Sequence, residues 1–198
     1  MAQAHRPTGT DSGSHASKTA PGAPRSWLLR LGAPPVAATA LTASVALYMT
    51  LVVFGNITDF GTNQQFVQHV LSMDTTFKDP DLMWRAVESP TVQNAAYVAI
   101  IAWESLAASV LLTATWFWIT GLRRDAYDRA RAASTVGLVM MLLLFGMGFL
   151  AIGGEWFAMW QSSDWNGLDP ATRNVALAVF TLLLVYLPGI RRAGTART

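Results

Sequence analysis

Four stretches of this chain are too long and too apolar to be enclosed by the rest of it. They run from Pro35 to Phe54, Ala95 to Thr120, Ser134 to Gly154 and Asn174 to Ile190, and the only charged residue within them is Glu104. A helix needs about 20 apolar residues to cross a ~30 Å hydrocarbon core, and roughly 17 suffice. Soluble domains carry roughly 25% charged residues. Here the figure is 13%, against 52% hydrophobic, which leaves too little polar sequence to wrap four buried helices in water. The expected fold is all-α, a four-transmembrane-helix bundle with short interfacial helices in a long outer loop. The first run has small residues that resemble a signal-peptide cleavage site. However, 34 residues precede it, and it exceeds the usual ~7–15-residue apolar region of such peptides, so it reads as a retained anchor.

The placement of Lys and Arg predicts the orientation, because cytoplasmic flanks are enriched in both. Arg6, Lys18, Arg25 and Arg30 precede the first run, Arg123, Arg124, Arg129 and Arg131 follow the second, and Arg191, Arg192 and Arg197 follow the fourth. The intervening loops hold Lys78, Arg85 and Arg173 against Asp59, Asp74, Asp79, Asp81, Glu88, Asp164 and Asp169. Both termini are therefore expected in the cytoplasm and the protein in a bacterial inner membrane. Trp27, Trp116 and Trp118 would form the inner aromatic belt, and Trp156, Trp160 and Trp165 the outer one.

Residues 1–24 are rich in Ser, Thr, Ala, Gly and Pro and read as a disordered cytoplasmic tail, which leaves 25–193 as the membrane domain. The outer loop, 55–90, is long for a connection, and such loops are usually functional or structured themselves. Thr62 or Asn63 can cap a first short helix, in which Phe66, Val67, Val70 and Leu71 share one face. That pattern suits a helix lying on the membrane surface. Asp79 and Pro80 form a cap-and-start pair for a second helix through "DLMWRAVE", and Ser89 and Pro90 repeat the device before the second run. In the third run Gly146 and Gly153 are seven apart, so they share a face suited to close helix packing.

A charge near the bilayer centre costs from about 2.5 kcal/mol upward, so such residues usually face a bundle interior or a wet cavity. Glu104 has that position. Glu155 closes the third run, Asp59 follows the first, and the three carboxylates are expected to converge at the outer end, with His69 above them and Arg85 as the nearest cation. Asp74 completes the candidate ligand set. Oxygen donors alone would suit calcium or manganese, and adding His69 would suit zinc, iron or manganese, but no metal-ligand spacing selects among them. Cofactors are therefore left unassigned. The alternative is structural, with these groups only bonding neighbouring helices. Trp84, Trp156, Trp160 and Trp165 are candidate anchors for a protein partner, since aromatic residues dominate such interfaces.

Other chemistries are excluded more firmly. The chain has no cysteine, which removes disulfides, thiolate metal sites and a cysteine nucleophile. A net charge of +2, scattered along the chain, argues against nucleic acid. No phosphate loop, GxSxG or HExxH motif is present. Asn56-Ile57-Thr58 matches a glycosylation sequon, a pattern common by chance.

The stretches "NITDFGTNQQFVQHVLSMDTTF" (56–77), "MWRAVESP" (83–90), "AYVAIIAWE" (96–104) and "IGGEWFAMWQSSDWNG" (152–167) resemble a bacterial family of predicted small four-helix integral membrane proteins, catalogued as a domain of unknown function. The resemblance spans about residues 35–190 and implies a membrane location without an established activity. Three functional readings follow. The first is a non-catalytic accessory, anchoring or assembly subunit with a structured extracytoplasmic face, resting on the lipid bilayer and a membrane or extracytoplasmic protein partner. The second is an ion-, proton- or polar-ligand-binding protein that uses the carboxylate cluster. The third is a membrane enzyme acting on lipid or quinone, with Glu104 as acid and base.

Overall fold

The computed structural model describes residues 32–187. The tail, Trp27, the basic residues near both ends of the chain and the last residues of the fourth run lie outside the described residues. Helix α1 spans Pro34–Thr58, α2 Phe60–Ser72, α3 Pro90–Arg124, α4 Asp128–Met141 and α5 Leu168–Val185. Helix α4 continues without a break into a wider, π-type segment, Leu142–Trp156, and single 3-10 turns lie at Met83–Arg85 and Met159–Gln161. Among the described residues there is no strand. Four helical units are long and apolar enough to cross a membrane: α1, α3, α4 with its wide extension, and α5.

Each start and stop has a local cause. Pro34 and Pro35 occupy the first turn of α1 and Pro90 that of α3, where a missing N–H costs nothing and the fixed φ suits a helix. Arg123 and Arg124 complement the carbonyl end of α3, and Asp125 terminates it in the left-handed region. Helix α5 begins at Leu168, six residues before its apolar run, because Asp169 in the first turn favours the N–H end of the helix. Along the spans, several hydroxyls are satisfied without a partner helix. Thr39, Ser44 and Thr50 in α1, and Ser105, Ser109, Thr113 and Thr115 in α3, each donate to the carbonyl four residues back. That bond lets a polar side chain face lipid at little cost.

The four long helices close a ring in which each packs on two neighbours: α1 on α3 and α5, and α4 with its extension on α3 and α5. The centre is built from small and flexible residues, including Ala46, Met49, Ala107, Ala108, Leu138, Met141, Ala171 and Ala178. In lipid the helices gain little from excluding water, so close approach and dispersion hold them together. At the tightest crossing, a Cβ on Gly137 would lie 2.7 Å from Leu111 of α3. Gly146 faces Val175 of α5 at 3.8 Å, whereas Gly153 lies against Met159 of the following turn, so the two glycines do not share one neighbouring helix. Outward, Phe54, Leu106, Leu183 and Phe180 remain exposed. An apolar girdle of this extent is what a bilayer-facing surface requires.

At the end of the ring carrying the α3–α4 turn, Trp118 is fully buried and its indole N–H donates to Ser134 Oγ at 2.8 Å. It is a core residue and not part of an aromatic belt, whereas Trp116, 63% exposed, does face outward. Tyr127 packs on Trp118 with ring centroids 5.6 Å apart. Burial, and then the bond from its hydroxyl to Asp125, push its pKa up to about 12.

The opposite end, termed the α2 end, is folded. Asp59 breaks α1 with φ −112 and ψ 51, and α2 starts one residue later, ahead of the Thr62 or Asn63 start expected from the sequence. The apolar face of α2 packs against α3 and the wide segment, where Phe66, Val67, Val70 and Leu71 line a crevice with Ala96, Ile100, Leu144 and Phe149. The helix therefore turns its apolar face to the end of the bundle. The second expected loop helix is reduced to the Met83–Arg85 turn. Asp79 does start a turn, with its side chain accepting from Asp81 N–H at 3.0 Å and its carbonyl from Leu82 at 2.9 Å. The helix goes no further because the Val87 N–H bonds Leu71 O at 2.8 Å and the Val87 carbonyl accepts from Gln93 Nε2 at 2.7 Å. Thr75 donates to Ser162 Oγ at 2.8 Å and Phe77 N–H to Gln161 Oε1 at 2.9 Å, which fastens the loop to the segment after the wide helix.

Candidate functional site

Tyr97 and Glu104 are seven residues apart on α3, two helical turns, so both point towards α1. Asn56, in the last turn of α1, meets both. Its Nδ2 donates to Glu104 Oε2 at 2.6 Å, and its carbonyl accepts from Tyr97 OH at 2.9 Å. Phe60 covers this knot, with its ring centroid 4.7 Å from that of Tyr97. Glu104 is only 2% exposed, and Asn56 is the sole hydrogen-bond partner of its carboxyl among the described residues.

The carboxyl lines a cleft of about 400 Å³ that is bounded by α1, α2, α3, the wide segment and the loop into α5. Phe66, Tyr97, Phe145, Phe149 and Trp165 make aromatic walls, and Thr62, Asn63, Asp164 and Asn166 contribute polar groups. Asp164 and Asn166 are exposed. Among the described residues, the only carboxylates on the lining are Glu104 and Asp164, and no Lys, Arg or His lines it. An apolar crevice of about 160 Å³ adjoins the cleft and shares Phe66, Val67, Ile100 and Phe149 with it. The rings of Phe66 and Phe149 stack between the two, centroids 6.2 Å apart at 16°. Gly167 makes room for Phe66, since a Cβ there would lie 2.7 Å from its ring.

The remaining candidates are distributed differently from the expected cluster. Asp59 and Glu155 are exposed and lie outside the lining of the cleft. His69 and Asp74 do come together, Nδ1 to Oδ2 at 2.7 Å, and His69 stacks on Trp165, centroids 4.5 Å apart. Arg85 reaches no carboxylate. Its guanidinium lies 4.9 Å from the Trp156 ring and 5.6 Å from the Trp84 ring, and Nη1 donates weakly to Trp156 O at 3.4 Å. Among the described residues no three acidic, histidine or cysteine side chains gather as metal ligands. The three-carboxylate convergence is thus replaced by one buried glutamate with an amide partner. The reason is helical phase: Glu155 leaves the wide segment on a face turned outward, and Asp59 sits on the corner where α1 ends.

Of the aromatic candidates, Trp84 is 69% exposed, Trp156 45% and Trp160 50%, while Trp165 is half-buried over His69. Trp84 and Trp156 meet edge to face, as do Phe77 and Trp160. Asn56 and Asp164 were not singled out as site residues from the sequence. Asn56 carries only the sequon signal in the sequence, and in the structure its amide nitrogen is bonded to Glu104.

No curated protein and no solved structure matches the chain. A family model described as "predicted small integral membrane protein" (DUF2165) matches residues 35–188, which takes in all four long helices and the folded α2 end. The chain therefore belongs to that family of small integral membrane proteins.

Proposed function

We propose that this is a non-catalytic ligand-binding protein of a bacterial inner membrane, and that its site is the cleft lined by Glu104, open to the extracytoplasmic side. The observation that carries this reading is a carboxyl buried to 2% exposure, bonded among the described residues only by Asn56, on the wall of a cavity of about 400 Å³. Burying an ionisable group within a membrane is costly, and a cavity of this volume falls within the usual range of small-molecule sites, which pair apolar walls with a few placed polar groups. The orientation rests on the four arginines from Arg123 to Arg131 at the end away from α2, which puts both termini in the cytoplasm. The protein extracted in a mild detergent is expected to carry a small molecule detectable by native mass spectrometry. Glu104→Gln is expected to lose it while retaining the helical spectrum. An empty wild-type protein would overturn the reading.

A second reading is favoured by a different observation. Trp84 and Trp156 are exposed with Arg85 against both rings, and Phe77 and Trp160 form a second exposed pair; aromatic and arginine side chains are enriched among the anchors of protein interfaces. In this reading the protein is an accessory or anchoring subunit, with the cleft as a secondary feature. A photo-crosslinker placed at position 84 would then capture one defined partner, and Arg85→Ala would abolish the capture.

A further inference from the structure

The cleft and the crevice behind it differ in chemistry yet share a wall. The cleft carries negative groups and aromatic faces. The crevice is lined by Val70, Leu71, Leu144, Gly148, Ile152 and further apolar residues. We propose that the two together form one bipartite site for a single-chain amphiphile with a protonated amine at its head, the ammonium held by Glu104 and the chain passing Phe66 into the crevice. This rests on the ligand-binding reading and specifies its ligand.

Charge selects the head. Among the described residues, Glu104 and Asp164 are the only carboxylates on the lining, and no cation answers them there. An anionic head would place like charges together in a low-dielectric site, which disfavours both. An ammonium brings opposite charge and three donors, whereas Asn56 supplies Glu104 with one bond. The walls agree with this choice: Phe66, Tyr97, Phe149 and Trp165 surround the cleft, and aromatic faces attract a cation within about 6 Å. The chain follows from geometry. Phe66 and Phe149, whose rings stack on each other, line both cavities, and an aromatic ring can turn aside where a helix cannot. Gly148 leaves the crevice open, and a Cβ there would meet nothing nearer than 3.8 Å, so the space can be filled without a backbone clash.

The test is binding of butylamine, octylamine, octanol and octanoate to the full chain in nanodiscs of zwitterionic lipid, with empty nanodiscs as the partition control. Octylamine is expected to bind at least tenfold more tightly than butylamine, octanol or octanoate. Glu104→Gln is expected to lower octylamine affinity at least tenfold. Gly148→Leu is expected to remove the advantage of octylamine over butylamine while leaving butylamine binding intact, and it does not touch the buried carboxyl. Equal binding of the two amines, both dependent on Glu104, would overturn the bipartite site and leave the cleft reading standing. Octanoate binding as tightly as octylamine would overturn the ammonium assignment. If no probe binds through Glu104 but the protein still carries an extracted ligand that Glu104→Gln loses, the inference fails and the cleft reading survives.

Discussion

At the scale of residues, two buried polar pairs stand out, Asn56 with Glu104 and Trp118 with Ser134. Removing a partner leaves the survivor desolvated, which costs about 1–3 kcal/mol and more for a charged group. Asn56→Leu is therefore expected to destabilise the protein by that amount or more, measured by unfolding in mixed detergent micelles. Glu104→Gln should cost less, since an amide can still bond Asn56. The Trp118–Ser134 pair makes a parallel case. Ser134→Ala strips the buried indole of its acceptor and should cost about 1–3 kcal/mol, while the double variant Trp118→Phe with Ser134→Ala should show non-additivity as the orphan donor disappears. Tyr127 gives a pH signature. Its folded pKa of about 12 lies above the ordinary 10.0, so the unfolded chain ionises first as pH rises. Stability is thus full below about pH 10 and declines through about pH 12. In Tyr127→Phe this part of the alkaline decline should vanish.

Among the elements, α4 shows how one small residue sets a helix crossing. A side chain at Gly137 would overlap Leu111, so Gly137→Val should separate α3 from α4 and cost about 1–3 kcal/mol, as overpacking does. Leu111→Ala in the same chain should restore part of the loss, and unfolding in detergent would show whether it does. Below Met141 the helix widens, and the amide of Phe157 bonds Ile152 O, five residues back. Wide turns of this kind are often found at functional sites. Here they present Phe145 and Phe149 to the cleft. The two loop helices show opposite outcomes. Helix α2 forms because an apolar stripe and a bundle face are both available to it. The expected helix after Pro80 stops at one turn because Val87 and Gln93 are engaged elsewhere, and those bonds outweigh a cap-and-start signal.

For the whole molecule, the charge pattern and the ring of helices make one joint prediction about topology. The absence of cysteine makes it simple to check. A single cysteine replacing Lys78 or Asp164 should be labelled by a membrane-impermeant maleimide added to intact cells, and one replacing Arg124 should be labelled only after lysis. The reverse pattern would place the cleft on the cytoplasmic side and overturn the assigned orientation.

The sequence by itself determined that there would be four spans, roughly where they lie, and that Glu104 is the one charge within their apolar runs. Those conclusions need only composition along the chain and the thickness of a bilayer, both local quantities. Tyr97 lies two helical turns before Glu104, so the two share a face of α3. Only the tertiary structure decided what meets that face. Asn56 lies 48 residues from Glu104 and has no spacing that marks it. Whether Asp59 and Glu155 turn inward depends on helix rotation and on the wide segment, which an apolar run rich in Leu, Met and Gly leaves unspecified. Partner, cavity and phase are set by packing between helices, where contact energies depend on shape and not on any residue's position in the chain.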